Sequence, residues 1–249
     1  MTSAVCLTVD VEDWYDGMAV LGYPVTRASR SDSGLPQLIS LLSSQQANTR
    51  ITLFTVGGYA QSVRSDLADL VASGHEIGCH GPDHGRLPPD PVALVDWLRK
   101  GREMLEDMFQ IPVQGFRSPR FEVPHNIGLG LYRELLAKAG YRYVSDTKML
   151  GTAAAVDEFP VLHVASFLLG GGSYQRLLPA RVVTSAVGRS RGPAILYYHS
   201  YDFGVTLPTV KSTHSLAVAK QVLGRRRIPA IFTELANRYG SHTCAQISI

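Results

Sequence analysis

The chain has 249 residues, 45% hydrophobic and 18% charged, with a mean hydropathy of +0.03, which suits one globular domain with a large core. The net charge of +3 and pI near 8.8 come without a long basic run, so nucleic acid is not an expected partner. No segment is long and apolar enough to span a membrane.

The first apolar run, "AVCLTVD" from residue 4, reads as a buried strand. No basic region precedes it, so a secretory signal is not expected, and a cytoplasmic location is. "ITLFTV" is the next strand. Residues 59–73 form a helix with Val63, Leu67, Leu70 and Val71 on one face, stopped by Gly74. "HEIGCH" follows as a strand. Asp90 as N-cap and Pro91 in the first turn then open a helix over 91–109, with Leu94, Trp97, Leu98, Gly101, Leu105 and Met108 in one stripe. "VQGFRS" is a strand, residues 127–139 a helix ending at Gly140, and "YRYVS" another strand. Residues 149–177 break this rhythm. They are rich in Ala and Gly, contain "LLGGGSYQRLLP", and read as an insertion or a long functional loop. The strand "AILYYH" comes next. The cluster Arg225, Arg226 and Arg227 reads as a solvated loop. Cys6, Cys79 and Cys244 share no metal-type spacing, and Cys6 and Cys79 read as buried residues of a reduced protein.

Strand–helix alternation implies a parallel sheet covered by helices, open or closed into a barrel, in a single domain over 1–249. In such sheets the ligand site lies beyond the carboxyl ends of the strands. Polar residues closing the strand patterns are Asp10, His80, Arg117, Ser145, Asp146 and His199. Two histidines four apart, His80 and His84, flank Gly81 and Pro82, a spacing that lets a tight loop bring both imidazoles to one metal. "VDVEDW" adds three carboxylates, Asp10, Glu12 and Asp13. Three acids at one strand end call for a cation or an arginine, and a third, acidic ligand would complete an open His₂-carboxylate site.

Six motifs stand in order along the chain: "LTVDVEDW" (7–14), "GHEIGCHGPDHGRL" (74–87), "FRSPRF" (116–121), "EFPV" (158–161), "GGGSYQRLLP" (170–179) and "LYYHSYDF" (196–203). In these the chain resembles polysaccharide deacetylases of the NodB-homology type, carbohydrate esterase family 4. Within them it is most similar to the "VDVEDW" branch associated with exosortase and exopolysaccharide systems.

The resemblance implies a distorted (β/α) barrel and a metal-dependent hydrolase that removes an N-acetyl or other N-acyl group from an acetamido sugar, glycoside or glycan precursor. It implies Asp10 as general base, Arg117 as the residue orienting it, His199 as general acid, and His80 and His84 as metal ligands. The acidic ligand of many relatives directly follows the base, but that position is Val11 here. Asp13 is preferred for the role, with Glu12 as the alternative. The ion implied is Zn²⁺, with Co²⁺ or Ni²⁺ as substitutes.

Arg120 and Phe121 depart from the family's aromatic–Gly after "RSP", and Val144 stands where an acid supporting the catalytic histidine is usual. Asp146 and Asp202 are the replacements to consider. Trp14, Arg120, Tyr174 and Arg176 are candidate substrate contacts, although core burial is an equal expectation for Trp14 and Tyr15. His75, His163 and His214 are read as structural or without a role. Two other readings remain: an amidohydrolase of the same fold acting on a non-sugar amide or ureide, and an inactive sugar-binding homologue. The absence of an export pattern points to an intracellular precursor, lipid-linked or nucleotide-linked, as substrate.

Overall fold

The computed structural model describes residues 4–20, 26–27, 32–45, 49–146, 155–164, 168–206, 210–211 and 215–248. Its strands are β1 (Val5–Val11), β2 (Thr26–Arg27), β3 (Thr52–Thr55), β4 (Glu76–Cys79), β5 (Gly115–Phe116), β6 (Tyr143–Val144), β7 (Asp157–Glu158), β8 (Ala194–His199) and β9 (Val210–Lys211). Seven of them form one parallel sheet in the order β7-β6-β5-β4-β3-β1-β8, while β2 and β9 pair apart as a short antiparallel ribbon. The result is the expected distorted (β/α) barrel.

β1 lies between β3 and β8 and all seven of its residues are buried, which explains its near-continuous apolar run. Thr8, the polar residue in its middle, is satisfied on both sides: its hydroxyl donates to Leu196 O (2.8 Å) and accepts from Arg117 (2.9 Å). Past β7 the chain reaches across to the other end of the sheet. Val161 N–H donates to Asp146 O (2.9 Å) and Leu162 N–H to Ile195 O on β8 (2.8 Å), which curls the sheet towards closure.

The described part of the run 149–177 is therefore partly barrel wall. It also carries β7, a bridge from Gly171 to Tyr197, and the helical turn Gly172–Gln175. Residues 149–154 and 165–167 of that run, and His214, lie outside the described residues.

The helix Pro91–Phe109 forms where expected. Asp90 accepts from Ala93 N–H (2.8 Å), and Leu94, Val95, Leu98, Gly101 and Leu105 are buried along one stripe. Each such Leu contributes roughly 1.5–3 kcal/mol of burial. Gly101 has a second consequence. A Cβ there would sit 2.8 Å from Cys79 Sγ and 2.9 Å from Pro82 N, so only Gly lets the helix backbone lie directly on the loop that follows β4.

The predicted helix over 59–73 is instead two helices, Gly57–Ala60 and Arg64–Ala72, joined by a 3₁₀ turn. Helices Trp14–Val20, Leu35–Ser43, Ala180–Gly188 and Ile228–Tyr239 are additions to the sequence expectation.

The arginine cluster is only partly a solvated loop: Arg226 and Arg227 are exposed, but Arg225 is not. Arg225 is buried in a 3₁₀ turn, donating to Tyr201 O (2.5 Å) and Thr206 O (3.2 Å), and Arg227 donates to Arg176 O (3.0 Å) and Leu178 O (2.8 Å). These cations give extra donors to backbone carbonyls of the neighbouring turns. No helix among the described residues is long and apolar enough to cross a membrane.

Candidate active site

The carboxyl ends of β1, β4 and β8 open onto a cleft of about 470 Å³ whose lining includes Asp10, Glu12, His80, His84, Arg120 and His199. Parallel register alone brings the proposed acid and base together, because Asp10 and His199 are direct partners across β1 and β8.

His80 leaves β4 with its N–H on Thr55 O (2.9 Å), while its Nδ1 lies 2.8 Å from the buried carbonyl of Arg117. That carbonyl can only accept, so Nδ1 carries a proton and Nε2 is the ring atom turned towards Glu12. The turn to His84 runs through Gly81 at φ +88°, where a Cβ would fall 2.5 Å from the Trp97 ring. Gly81 O and Pro82 O accept from Gly57 N–H (2.9 Å) and Gly58 N–H (2.8 Å), so the loop is pinned by the start of the neighbouring helix.

Glu12 completes the group. One ligand atom from each of Glu12, His80 and His84 lies within 4.8 Å of the others. Glu12 Oε2 is 2.6 Å from His84 Nε2 and 3.5 Å from His80 Nε2. Burial raises the Glu12 carboxyl, but the His84 charge and hydrogen bonds from both histidines outweigh it and hold the carboxyl well below its usual range. For His84 burial acts downward, and Glu12 overturns it to leave the imidazole raised.

The Asp13 preference is corrected here. Its Oδ1 accepts from Tyr15 N–H (3.1 Å) at the start of the helix Trp14–Val20. Two residues on from Asp10, Glu12 projects to the same side of the extended chain as the base, while Asp13 falls where the helix begins and serves as its cap.

Arg117 is fully buried and its donors have partners on several elements. One nitrogen bonds Asp10 Oδ1 (2.6 Å) and Thr8 Oγ1 (2.9 Å), another Ser145 Oγ (2.7 Å), and Nε the Ser145 carbonyl (3.0 Å). Its guanidinium also stacks 4.1 Å over the Phe54 ring. Asp10 is thereby held at the cleft wall against a fixed cation.

The His199 ring stacks on Tyr201 at 4.8 Å, with Asp202 Oδ2 3.5 Å from Nδ1 and Glu12 Oε1 3.8 Å from Nε2. Burial depresses this imidazole, but the Asp202 hydrogen bond and the Glu12 and Asp10 charges win, pushing it up to about 9. The acid beside the histidine is therefore Asp202. Asp146 instead accepts from Ser118 N–H (3.1 Å) and Oγ (2.9 Å), and burial pushes it up to about 6.

Two candidate substrate contacts are corrected as well. Trp14 is 1% exposed, packed with Tyr15, Met18 and Tyr201, so its ring has no face for a sugar. Arg176 is 4% exposed and directed inward, to Gln221 O (2.8 Å) and Asp202 Oδ1 (3.7 Å). Arg120 and Tyr174 do line the cleft. Arg120 and Phe121 both have positive φ (64° and 54°), a costly conformation for side-chain-bearing residues. A pair from Arg120 to Glu122 (3.1 Å) and the Phe121 ring edge on Tyr197 hold the turn.

Gly17, Tyr197, Tyr201 and Gln221 also line the cleft and were not singled out in the sequence. Tyr197 and Tyr201 stand two residues either side of His199, a spacing that could have found them.

The polysaccharide deacetylase family model matches residues 16–144, just over half of the chain. The chain belongs to the polysaccharide deacetylase family. A second model, a domain of unknown function (DUF3473), matches residues 138–248 of this deacetylase-family chain. A peptidoglycan deacetylase from Helicobacter pylori is 27% identical over 115 residues, covering 44% of this chain and only 36% of that protein's length.

Among solved structures, a Mycobacterium smegmatis protein assigned provisionally as a polysaccharide deacetylase aligns with a TM-score of 0.65 at 19% identity, covering 99% of this chain and 89% of that one. A pseudoenzyme of carbohydrate esterase family 4 from Bacillus anthracis aligns at 0.55 with 14% identity, covering 100% and 66%. A peptidoglycan deacetylase from Bacillus subtilis aligns at 0.54 with 12% identity, covering 99% and 90%. At these identities the likeness establishes the shared fold.

Proposed function

We propose that this polysaccharide deacetylase-family chain is a metal-dependent N-deacetylase of an acetamido sugar or glycoside, of the exopolysaccharide-associated branch. The observation that carries the reading is the convergence of Glu12, His80 and His84 beside an arginine-held Asp10 and a carboxylate-backed His199.

The three donors suit a divalent cation, Zn²⁺ first. The fixed His80 tautomer and the close, buried carboxylate are what such an ion needs, and His84 Nδ1 is buried without a hydrogen-bond partner, leaving Nε2 as the atom that the loop presents. When bound, the ion would lower the pKa of water and polarise the acyl oxygen.

The remaining steps belong to the chain. Asp10 accepts the proton of the attacking water, and Arg117 keeps its carboxylate aimed. The backbone N–H at the Arg120 turn serves the developing oxyanion. His199 delivers a proton to the departing nitrogen, because an amine leaves poorly as an anion. Its raised pKa keeps it charged at neutral pH, and a cation neutralising Glu12 would bring the value down towards neutrality. The products are acetate and a free amino sugar.

We read the chain as one domain, since β1 pairs with strands from both halves. The test is acetate release from a panel of N-acetylated sugars by protein loaded with Zn²⁺, Co²⁺ or Ni²⁺ and by metal-stripped protein. Sugar binding without acetate release under every metal would sink the hydrolase reading.

A further inference from the structure

A larger groove, of about 1050 Å³, lies next to the cleft, and Tyr174 lines both. Leu169, Leu178 and Ala186 contribute to its wall. Three further apolar side chains on it are exposed to water: Val164 (45%), Leu177 (57%) and Val182 (44%). Apolar side chains scattered singly are ordinary, but this many around one concavity mark a binding surface.

The polar part of the lining is cationic. Arg181, Arg189 and Arg191 line the groove with no Asp or Glu among its lining residues, and none of the three is paired with a carboxylate among the described residues. Unpaired arginines beside an apolar trough complement a ligand with an anionic group and a long hydrocarbon chain. A nucleotide-linked sugar supplies the anion but has nothing to cover the trough.

We propose that the groove holds the hydrocarbon chain of a lipid-phosphate-linked sugar, with the phosphate taken by the rim arginines and the acetamido group presented to the cleft across Tyr174. The assignment of this ligand as substrate rests on the deacetylase reading, whereas its binding does not.

The test uses the full-length, metal-loaded protein, titrated by calorimetry with farnesyl phosphate below its aggregation threshold. Inorganic phosphate and farnesol serve as half-ligands. Saturable binding is expected, with each half-ligand at least tenfold weaker. Val182→Glu, and separately the pair Arg189→Glu/Arg191→Glu, should weaken farnesyl phosphate tenfold or more, while Val92→Glu, on an exposed position of another helix, should change nothing.

The groove variants should keep acetate release from a short soluble chitooligosaccharide and lose it from farnesyl-phosphate-linked N-acetylglucosamine. Absence of saturable binding, or binding indifferent to the groove variants, overturns the proposal. So does binding only to phosphatidylglycerol vesicles, which would make the groove a membrane contact. Farnesyl phosphate binding with the expected variant effects, in a protein that releases acetate from nothing, supports the groove ligand and overturns the hydrolase reading instead.

Discussion

Glu12 Oε2 lies 2.6 Å from His84 Nε2, while the adjacent acid, Asp13, accepts from Tyr15 N–H at a helix start. The two carboxylates therefore respond differently to removal. Glu12→Ala should abolish stoichiometric metal binding, as should His80→Ala/His84→Ala. Asp13→Ala should keep the metal and lose about 1 kcal/mol of stability, the usual cost of a lost helix cap. Metal analysis and thermal melts read both, and loss of metal from Asp13→Ala with retention in Glu12→Ala would reverse the assignment.

Asp10 and Arg117 form a buried pair at 2.6 Å. Asp10→Asn should retain metal and reduce turnover by roughly 10²-fold or more, as expected on losing a general base. Arg117→Met leaves a buried carboxylate unpaired and should cost about 3–5 kcal/mol. Adding Asp10→Asn to Arg117→Met should restore much of that stability and none of the activity. Additive losses in denaturant unfolding would refute the pairing energy.

His199 is placed to act on the leaving group. His199→Gln should lower kcat by about 10²-fold or more with metal content and KM nearly unchanged. An activated aryl acetate, whose leaving group needs no proton, should be spared most of the loss. Equal losses on the amide and the aryl ester would remove His199 from the proton-donor role.

Far from the cleft, His75 Nδ1 accepts from Ile51 N–H (3.3 Å), and burial, aided by the Arg50 charge, depresses its pKa to about 4. The unfolded chain binds this proton near pH 6.5, the folded protein only near 4, so the unfolded state holds more protons between those values. The stability contributed by neutral His75 is complete above about pH 6.5 and is lost as the pH falls towards 4. His75→Asn keeps an acceptor without the titration and should flatten this part of the acid profile. Unchanged steepness in urea unfolding between pH 7 and 4 would show that His75 is not responsible.

Much of this was legible because strand ends carry a strong signal. A buried parallel strand reads as an apolar run, so the polar residue that closes it stands out, and Asp10, His80, Arg117 and His199 were found that way. The choice between Glu12 and Asp13 was not legible. It depends on the helix Trp14–Val20, whose short length gives little periodicity and whose cap consumes Asp13. Arg176 was misjudged, and Trp14 left between sugar contact and core, for a related reason. Sequence shows that a residue neighbours a motif but not the side to which its side chain turns, and both turn inward. β7 consists of two acidic residues, Asp157 and Glu158, and leaves no apolar run to find.

The position of β1 also bears on how the protein is made. Thr8 Oγ1 bonds to Leu196 O, 188 residues further along the chain. During synthesis β1 can pair with β3 early, but its other edge stays open until most of the chain has emerged. An all-buried strand with a bare edge is the template on which nascent chains aggregate. Loop closure over such a span is slow. Because Asp10 meets His199 only across that same late seam, the base gains its acid partner in the step that removes the sticky edge.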